Sequence, residues 1–217
     1  MNLLNLTRSG LLDYTVGQIA HFFPDGRNTS VRTRIDAHLD EALSRLHKCI
    51  NAVRLWQANE FNYLHSTQYC IYLYYLSNTI WRSTSDIEVC TKLFLLNKTL
   101  NGIDMFYEIA MPEKFFIGHS VGIVLAKATF SDYLVLYQNS TVGKNAGIAP
   151  VLERGVIMYP NTAIIGLSHV QANTVISQGV GIVNRNTPGN VMVFQGSDGN
   201  LLFKEIKKDF IQEFFRL

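Results

Sequence analysis

His119 stands between Gly118 and Ser120, two small residues that are typical of a turn, and a turn exposes the side chain it carries. A neutral imidazole is the usual general base when a hydroxyl group must lose its proton, because its pKa lies near neutrality. A carboxylate on the second ring nitrogen would fix the tautomer, and backbone N–H groups would have to face any oxyanion that forms. A surface histidine without a chemical role fits the same position, so the role of His119 has to be judged from the elements that surround it.

The other candidates for chemistry give weaker signals. His65 precedes an apolar helix, where helix capping is the simpler interpretation. His169 falls at a repeat position that is expected to point inward, and we interpret it as a wall or subunit-contact residue. The histidines lack the spacing of metal ligands, so no metal site is predicted. Cys49, Cys70 and Cys90 match no metal motif, and their odd number predicts reduced, buried thiols.

Composition places few limits on function. Of 217 residues, 47% are hydrophobic and 17% are charged, which is typical of a globular protein with one large domain or two small ones. The net charge of +2 comes from scattered basic residues and argues against a nucleic-acid partner. No secretion signal is evident, and the most apolar helical run, Cys70–Leu76, is far shorter than the roughly 20 residues of a membrane span. We therefore expect a soluble, cytoplasmic protein.

A six-residue repeat between residues 115 and 196 is the strongest pattern in the chain. One apolar residue in every six fits neither an amphipathic helix nor an alternating strand, but it is typical of a β-helix whose short strands each turn one side chain inward. The repeat slips between Lys144 and Pro150, which predicts a loop extruded from the coil. The residues expected to point inward are Val124, Phe130, Leu136 and Val142 before the slip, and Val151, Ile157, Ala163, His169 and Val175 after it.

Residues 1–104 are predicted to form an α-helical domain. Apolar residues recur every three or four positions from Ser30 to about Ala58, which is typical of a helix with one buried stripe. Residues 61–81 predict a second helix that is apolar almost all round, and such a helix belongs in a bundle centre or at a subunit contact. Ser85 followed by Glu88 predicts a capping box that opens a third helix.

Residues 105–196 are predicted to form the β-helix domain, approached through an extended segment at 106–109. Strands at 191–195 and 200–204, on either side of an Asp-Gly turn, predict a closing hairpin. Residues 197–217 would then complete a C-terminal cap, with a terminal helix over the open end of the prism. That helix is predicted from the spacing of Phe203, Ile206, Phe210 and Phe214.

This order of elements and three segments within it resemble the serine acetyltransferases and their close relatives, a family of hexapeptide-repeat O-acetyltransferases. Residues 96–109 resemble the family's linker between domains. Residues 118–125, Gly-His-Ser-Val-Gly-Ile-Val-Leu, resemble its His-x-x-Gly-[IVT]-Val catalytic coil, and residues 137–143, Tyr-Gln-Asn-Ser-Thr-Val-Gly, resemble its Gln-x-x-Thr-[VL]-Gly coil. The resemblance covers roughly residues 60–196. It implies an α+β fold in which an N-terminal helical domain precedes a left-handed parallel β-helix.

The resemblance implies transfer of an acetyl group from acetyl-CoA, as co-substrate, to a hydroxyl group, with His119 as the catalytic base. Glu108 matches the aspartate of the family's catalytic dyad, although a solvated linker charge is an equally good interpretation. His65 and Gln138 would lie at the acceptor pocket. A homotrimer or a dimer of trimers is implied, because family active sites lie between neighbouring prisms. The residues implied to lie along CoA are Pro160, Asn161, Gln178, Gly179 and, near its phosphates, Arg185.

The chain departs from the family where the acceptor would bind. Serine acetyltransferases carry an Arg-His pair before a proline in the extruded loop, and the matching residues here are Ile148 and Ala149. Neither can hold a carboxylate, so the acceptor stays open between serine, another small hydroxy compound and a sugar of cell-surface polysaccharide synthesis. A non-catalytic β-helix scaffold is the alternative of a different class. Family members bind a cysteine-synthesis enzyme through flexible tails, whereas residues 214–217 are predicted to lie on a helix, which argues against that partner.

Overall fold

The computed structural model describes residues 1–217 as a layer of helices followed by a left-handed parallel β-helix of about five turns, which confirms the predicted α+β fold. None of the helices combines the length and the apolar character that crossing a membrane requires. The helical layer consists of β1 (Asn2–Leu3), α1 (Arg8–Phe22), α2 (Asn28–Ala52), β2 (Glu60–Phe61), α3 (Ser66–Thr84) and α4 (Ile87–Asn101).

Helix α3 forms the centre of the helical layer. Its side chains are buried all round from Thr67 to Ile80, because α2 and α4 pack against it from two sides. Helix α2 instead has a single buried stripe, in which Ile35, Leu39 and Leu46 are completely covered. Both patterns were predicted from the spacing of apolar residues, and both are confirmed.

The ends of these helices differ from the prediction. Helix α2 ends at Ala52, several residues before the predicted end, and α3 begins at Ser66 and not at Phe61. Phe61 lies in β2, which pairs with β1 in parallel. The side chain of Asn62 then accepts a hydrogen bond from the Leu64 N–H at 3.0 Å. This local turn competes with the helical conformation and delays the start of α3.

The predicted capping box at the start of α4 is wrong by one residue. Ser85 adopts the left-handed conformation, with φ 52°, and ends α3. The N-cap of α4 is therefore Asp86, whose side chain accepts a hydrogen bond from the Val89 N–H at 3.3 Å. Glu88 does not reach back to the cap but forms an ion pair with Lys92 one turn along the helix, at 2.9 Å.

The segment Phe106–Ile109 is a turn and not the predicted extended approach, because the Ile109 N–H bonds to the Phe106 carbonyl at 3.0 Å. Polar side chains of α3 fasten this turn. The Tyr74 hydroxyl donates to the Ile109 carbonyl at 2.6 Å, and the Asn78 amide donates to the Tyr107 carbonyl at 2.7 Å. The linker is thus fixed to the centre of the helical layer.

The β-helix is built from short parallel strands that return to the same wall once per turn, and it ends in the predicted antiparallel hairpin. Its strands are β3 (Asp104–Met105), β4 (Phe115–Ile117), β5 (Val124–Leu125), β6 (Thr129–Phe130), β7 (Leu134–Leu136), β8 (Thr141–Gly143), β9 (Val151–Leu152), β10 (Ile157–Met158), β11 (Ala163–Ile165), β12 (His169–Val170), β13 (Val175–Ile176), β14 (Gly181–Val183), β15 (Val191–Gln195) and β16 (Leu201–Glu205). The three sheets have the orders β16-β15-β13-β10-β7-β4, β14-β11-β8-β5-β3 and β12-β9-β6.

The six-residue period is confirmed, but its phase after the extruded loop is wrong by one residue. Val151 and His169 lie on the outside of the wall, while the following residues Leu152 and Val170 are completely buried. Successive side chains of a strand alternate between its two faces, so a shift of one residue exchanges inside for outside. The inward side chains are Leu136, Val142, Leu152, Met158, Ile164, Val170, Ile176 and Ile182.

Three further positions show why the phase was hard to assign. Val124 is 46% exposed although it is apolar, and its neighbour Leu125 points inward. Ile157 and Val175 also precede the inward residue of their strands, yet both are buried. Other parts of the chain cover the outer face of the six-stranded sheet at those positions, so apolar residues occupy both faces there.

The C-terminal tail does not form the predicted helix over the open end of the prism. Phe203 lies in strand β16, and α5 (Ile211–Phe214) is a single turn. The tail returns along the outer face of the six-stranded sheet, where the Phe214 ring packs against Tyr137. It then reaches the helical layer, where Phe215 forms an antiparallel bridge with Val53.

All three cysteines are buried, and none takes part in a disulfide. Burial raises the pKa of the Cys49 and Cys70 thiols to about 12, because the interior does not solvate a thiolate. The thiols are therefore protonated at neutral pH and have no nucleophilic role.

Candidate functional site

His119 lies exposed in the turn that follows strand β4. Gly118 is required before it, because a Cβ at that position would come within 2.5 Å of the Tyr137 ring on the next coil. On the other side, the Ser120 hydroxyl donates to the Asn101 carbonyl at 2.7 Å, at the C-terminal end of α4. The turn is thus held between the β-helix and the helical layer, while the imidazole itself makes no hydrogen bond.

Strand pairing brings the His119 turn to the same edge of the prism as three turns on the coils above it. Ile117, Leu136, Met158 and Ile176 are in register across β4, β7, β10 and β13. Two residues further along each coil come the four members of what we call the corner column, whose coils are spaced at about 4.8 Å. The corner column consists of His119, Gln138, Pro160 and Gln178.

The first coil carries two extra residues in this corner, because eight positions separate Ile117 from Leu125 but six separate Leu136 from Val142, their partners on the next coil. The Asn139 N–H donates to the Val121 carbonyl at 2.9 Å, so His119 lies in a wider turn at the base of the column.

The corner column gathers most of the residues that the resemblance implied. Asn161 directly follows Pro160, and Gly179 directly follows Gln178. The backbones of both residues form hydrogen bonds with members of the column. The Asn161 N–H donates to the Gln138 carbonyl and the Gly179 N–H to the Pro160 carbonyl, each at 3.1 Å. The side-chain oxygen of Gln138 is buried and has no hydrogen-bond partner. A polar atom in that state costs about 1–3 kcal/mol, so it favours a partner donated by a bound molecule or by water.

Glu108 lies in the turn at Phe106–Ile109, where its carboxylate forms an ion pair with Lys127. No hydrogen bond joins Glu108 to His119, so the structure does not bring the predicted dyad together. Hydrogen bonds of this kind are often long in the absence of substrate. The role of Glu108 as partner of the base therefore stays a prediction.

His65 stands at the N-cap of α3 but forms no side-chain cap hydrogen bond. Its ring packs edge-on against Trp56, with 5.8 Å between centroids. Partial desolvation there lowers the pKa of His65, which favours the neutral ring. Trp56 in turn contacts Phe116 of strand β4, at 5.5 Å between centroids. His65 is thus connected to the His119 coil through two aromatic rings.

Arg185 lies away from the corner column, on the corner that follows β14. Its side chain is exposed, and its backbone N–H donates to the Ser168 hydroxyl at 3.2 Å. The extruded loop is closed by paired hydrogen bonds between Asn145 and Ile148, at 2.9 and 3.0 Å. The Ile148 side chain is 46% exposed, so the loop presents an apolar residue.

Sequence reasoning missed two features of the β-helix wall. The His169 ring forms a hydrogen bond with the Glu153 carboxylate at 2.7 Å, on a different wall from the corner column. With the corrected phase of the repeat, both residues face outward on adjacent coils, and this contact could have been predicted. The second feature is a group of contacting aromatic side chains, called here the aromatic cluster. It consists of Trp56, Phe116, Tyr137 and Phe214.

The sequence matches no protein-family model and no curated protein. Among solved structures, a serine acetyltransferase from Vibrio cholerae aligns with 93% of this chain and 81% of its own, with a TM-score of 0.72 and 15% identity. A serine acetyltransferase in complex with CoA aligns over 91% and 86%, at 0.71 and 17%. One from Neisseria gonorrhoeae in complex with serine aligns over 89% and 83%, at 0.68 and 13%. The chain therefore has the serine acetyltransferase fold.

Proposed function

We propose that this protein is an acetyl-CoA-dependent O-acetyltransferase that acts in the cytoplasm on a small acceptor carrying a hydroxyl group. The corner column carries the proposal, because strand pairing brings the His119 turn to the same edge of the prism as Gln138, Pro160 and Gln178. Solved structures of the same fold are serine acetyltransferases, one of them in complex with CoA, which supports the choice of acetyl donor.

In the proposed reaction, the neutral His119 ring takes the proton from the acceptor hydroxyl while the oxygen bonds to the thioester carbonyl carbon. The tetrahedral intermediate then collapses with cleavage of the C–S bond, and the departing CoA sulfur takes the proton from His119. The backbone N–H groups of His119, Ser120 and Val121 make no hydrogen bond within the chain. They are therefore the donors available to an oxyanion at this turn.

We expect replacement of Glu108 by glutamine to change kcat less than about threefold, since its carboxylate is paired with Lys127. Steady-state kinetics of the Glu108→Gln and Lys127→Gln variants measure this directly. A loss above about 100-fold in Glu108→Gln alone is what a working dyad would give, and it would restore Glu108 as the partner of His119.

The extruded loop bears on the identity of the acceptor. In the serine acetyltransferase family an Arg-His pair in this loop holds the amino-acid carboxylate, and Ile148 and Ala149 cannot. Serine or a related small hydroxy compound is our first candidate, in line with the solved complex with serine. The apolar loop favours the second candidate, a sugar acceptor without a carboxylate, as in polysaccharide modification.

We further propose that the active unit is a trimer or a dimer of trimers, in which a neighbouring prism closes the groove beside His119. The outer face of the five-stranded sheet supports this, since Val124 and Val183 are 46% and 49% exposed there. Sedimentation equilibrium of the full chain is expected to give a mass three or six times that of the 24.6 kDa monomer. A monomer at micromolar concentration would contradict the proposal.

The function is tested by release of free CoA from acetyl-CoA in the presence of serine, of other small hydroxy compounds and of a panel of nucleotide sugars. Turnover with serine would mean that another group replaces the missing carboxylate anchor. Turnover with sugars alone would assign the protein to polysaccharide modification. If no acceptor gives turnover, binding of acetyl-CoA is measured by calorimetry. Binding would mean that the acceptor lies outside the panel. Absence of binding would indicate a non-catalytic scaffold and contradict the proposal.

A further inference from the structure

The C-terminal tail is attached to the helical layer by several hydrogen bonds. Its backbone pairs with the residues after α2, with the Arg54 N–H donating to the Phe214 carbonyl at 2.7 Å and the Arg216 N–H donating to the Ala52 carbonyl at 2.8 Å. Between them, Phe215 and Val53 form the antiparallel bridge. Phe215 is 1% exposed, so the tail is part of the interior at this point.

The Arg216 guanidinium adds four contacts to backbone carbonyls. One nitrogen, Nη1, donates to the carbonyls of Asn51 and Val53 at 3.1 and 2.6 Å. The other, Nη2, donates to those of Arg54 and Trp56 at 3.4 and 2.5 Å. Carbonyls at a helix C-terminus lack partners within the helix and favour a positive charge. Arg216 therefore fixes the chain between the end of α2 and Trp56.

Trp56 and Phe214 are the two members of the aromatic cluster that the C-terminal tail positions. Phe214 packs against Phe116 with 5.8 Å between centroids and against Tyr137 with 6.3 Å. Trp56 packs against Phe116 from the side of the helical layer. Phe116 and Phe214 are at most 6% exposed, so the cluster has no room to shift freely.

The aromatic cluster reaches the candidate base through Gly118. The Tyr137 ring occupies the space where a side chain at that position would lie, directly before His119. Displacement of Tyr137 therefore displaces the turn that carries the imidazole. On the opposite side, Trp56 supports the ring of His65. A single set of contacts thus connects the tail to both histidines of the candidate site.

We propose that Phe214 and Arg216 are positioning residues for His119, which makes the C-terminal tail a working part of the site. The inference rests on the proposed function for its kinetic readout, but the placement of the two histidine rings can be measured without it. Neither residue touches the corner column, so both act through Tyr137, Trp56 and the His119 turn.

The kinetic test compares Phe214→Leu with Phe203→Leu, a phenylalanine of the hairpin that is 44% exposed and outside the aromatic cluster. Misplacement of a reacting group by about 1 Å costs up to about 100-fold in rate, so we expect about a tenfold fall in kcat for Phe214→Leu. The KM for acetyl-CoA should change less than kcat does, because Phe214 packs directly against Tyr137 but is connected to Pro160 only through a further ring, Tyr159. An equal kcat in the two variants overturns the proposal.

Arg216 provides a second variant should Phe214→Leu fail to fold, as judged by circular dichroism. Arg216→Lys keeps the charge but cannot reach four carbonyls, whereas Arg216→Gln loses both charge and reach. We expect kcat to fall in the order wild type, Arg216→Lys, Arg216→Gln, with the pH dependence of kcat/KM displaced in the glutamine variant. Equal activity of all three overturns the role of Arg216.

NMR of the histidine rings separates this proposal from the proposed function. In Phe214→Leu the resonances of His65 and His119 should shift, while that of His169, paired with Glu153 on another wall, should not. If the wild-type protein transfers no acetyl group, the proposed function fails and the NMR result alone decides. Unmoved His65 and His119 resonances would then overturn the positioning role.

Discussion

Replacement of His119 by alanine is expected to lower kcat/KM for acetyl transfer by about 100-fold to 10,000-fold, the range that a positioned general base contributes. An acceptor hydroxyl is a weak nucleophile until its proton leaves, and no other side chain of the corner column can take that proton. The ring is exposed and makes no hydrogen bond within the chain, so its removal should leave the melting temperature nearly unchanged. Affinity for acetyl-CoA should also be retained.

The matched control is His169→Ala, which removes a half-exposed histidine of the same β-helix. His169 is paired with Glu153 and lies on a different wall, so its replacement should change kcat/KM less than about twofold. Release of free CoA measured for both variants and wild type gives the answer in one experiment. Comparable losses in the two variants, or full activity in His119→Ala, would remove His119 from the role of base.

Replacement of Ile164 by alanine is expected to lower the free energy of unfolding by about 2–5 kcal/mol, the usual cost of removing a buried isoleucine side chain. Ile164 lies in strand β11 and points into the prism, where it is completely buried. The coil above and the coil below place Ile182 and Val142 directly against it. The cavity cannot collapse without disturbing three coils.

The adjacent Ile165 provides the same substitution on the opposite face of the same strand. Its side chain points outward and is half-buried, with Gly143 below it. Ile165→Ala should therefore cost less than about 1 kcal/mol. Denaturant unfolding of the two variants tests the corrected phase of the repeat. A larger loss for Ile165→Ala would mean that the inward and outward positions are exchanged.

The sequence allowed prediction of those features that depend on local periodicity. The buried stripe of α2 and the six-residue repeat each follow from a regular spacing, and the turn of His119 follows from small neighbours. Side-chain period fixes which face of an element is buried only when the other face is polar. Ile157 and Val175 break that condition, since apolar residues occupy both faces of the covered sheet, and the phase was assigned wrongly there.

The features that local spacing could not predict come from contacts between distant parts of the chain. The partner of Glu108 is Lys127, and nothing in the local sequence distinguishes that pair from one with His119. The tail shows helical spacing from Phe203 to Phe214, yet strand pairing with β15 and docking on the helical layer override it. Helical propensity is a weak prior that tertiary contacts routinely overcome.

The hydrogen bond from Arg216 to the carbonyl of Val53 joins residues 163 positions apart, and it affects the order in which the chain can fold. Contacts of such long separation form late, because the entropy of closing the intervening loop must first be overcome. During synthesis, the carbonyls after α2 remain hydrogen-bonded to solvent until residues 214–216 have left the ribosome. The helical layer is therefore made early and completed only after residues 214–216 have docked. Chains shortened within this segment are expected to aggregate even if the candidate site itself is intact.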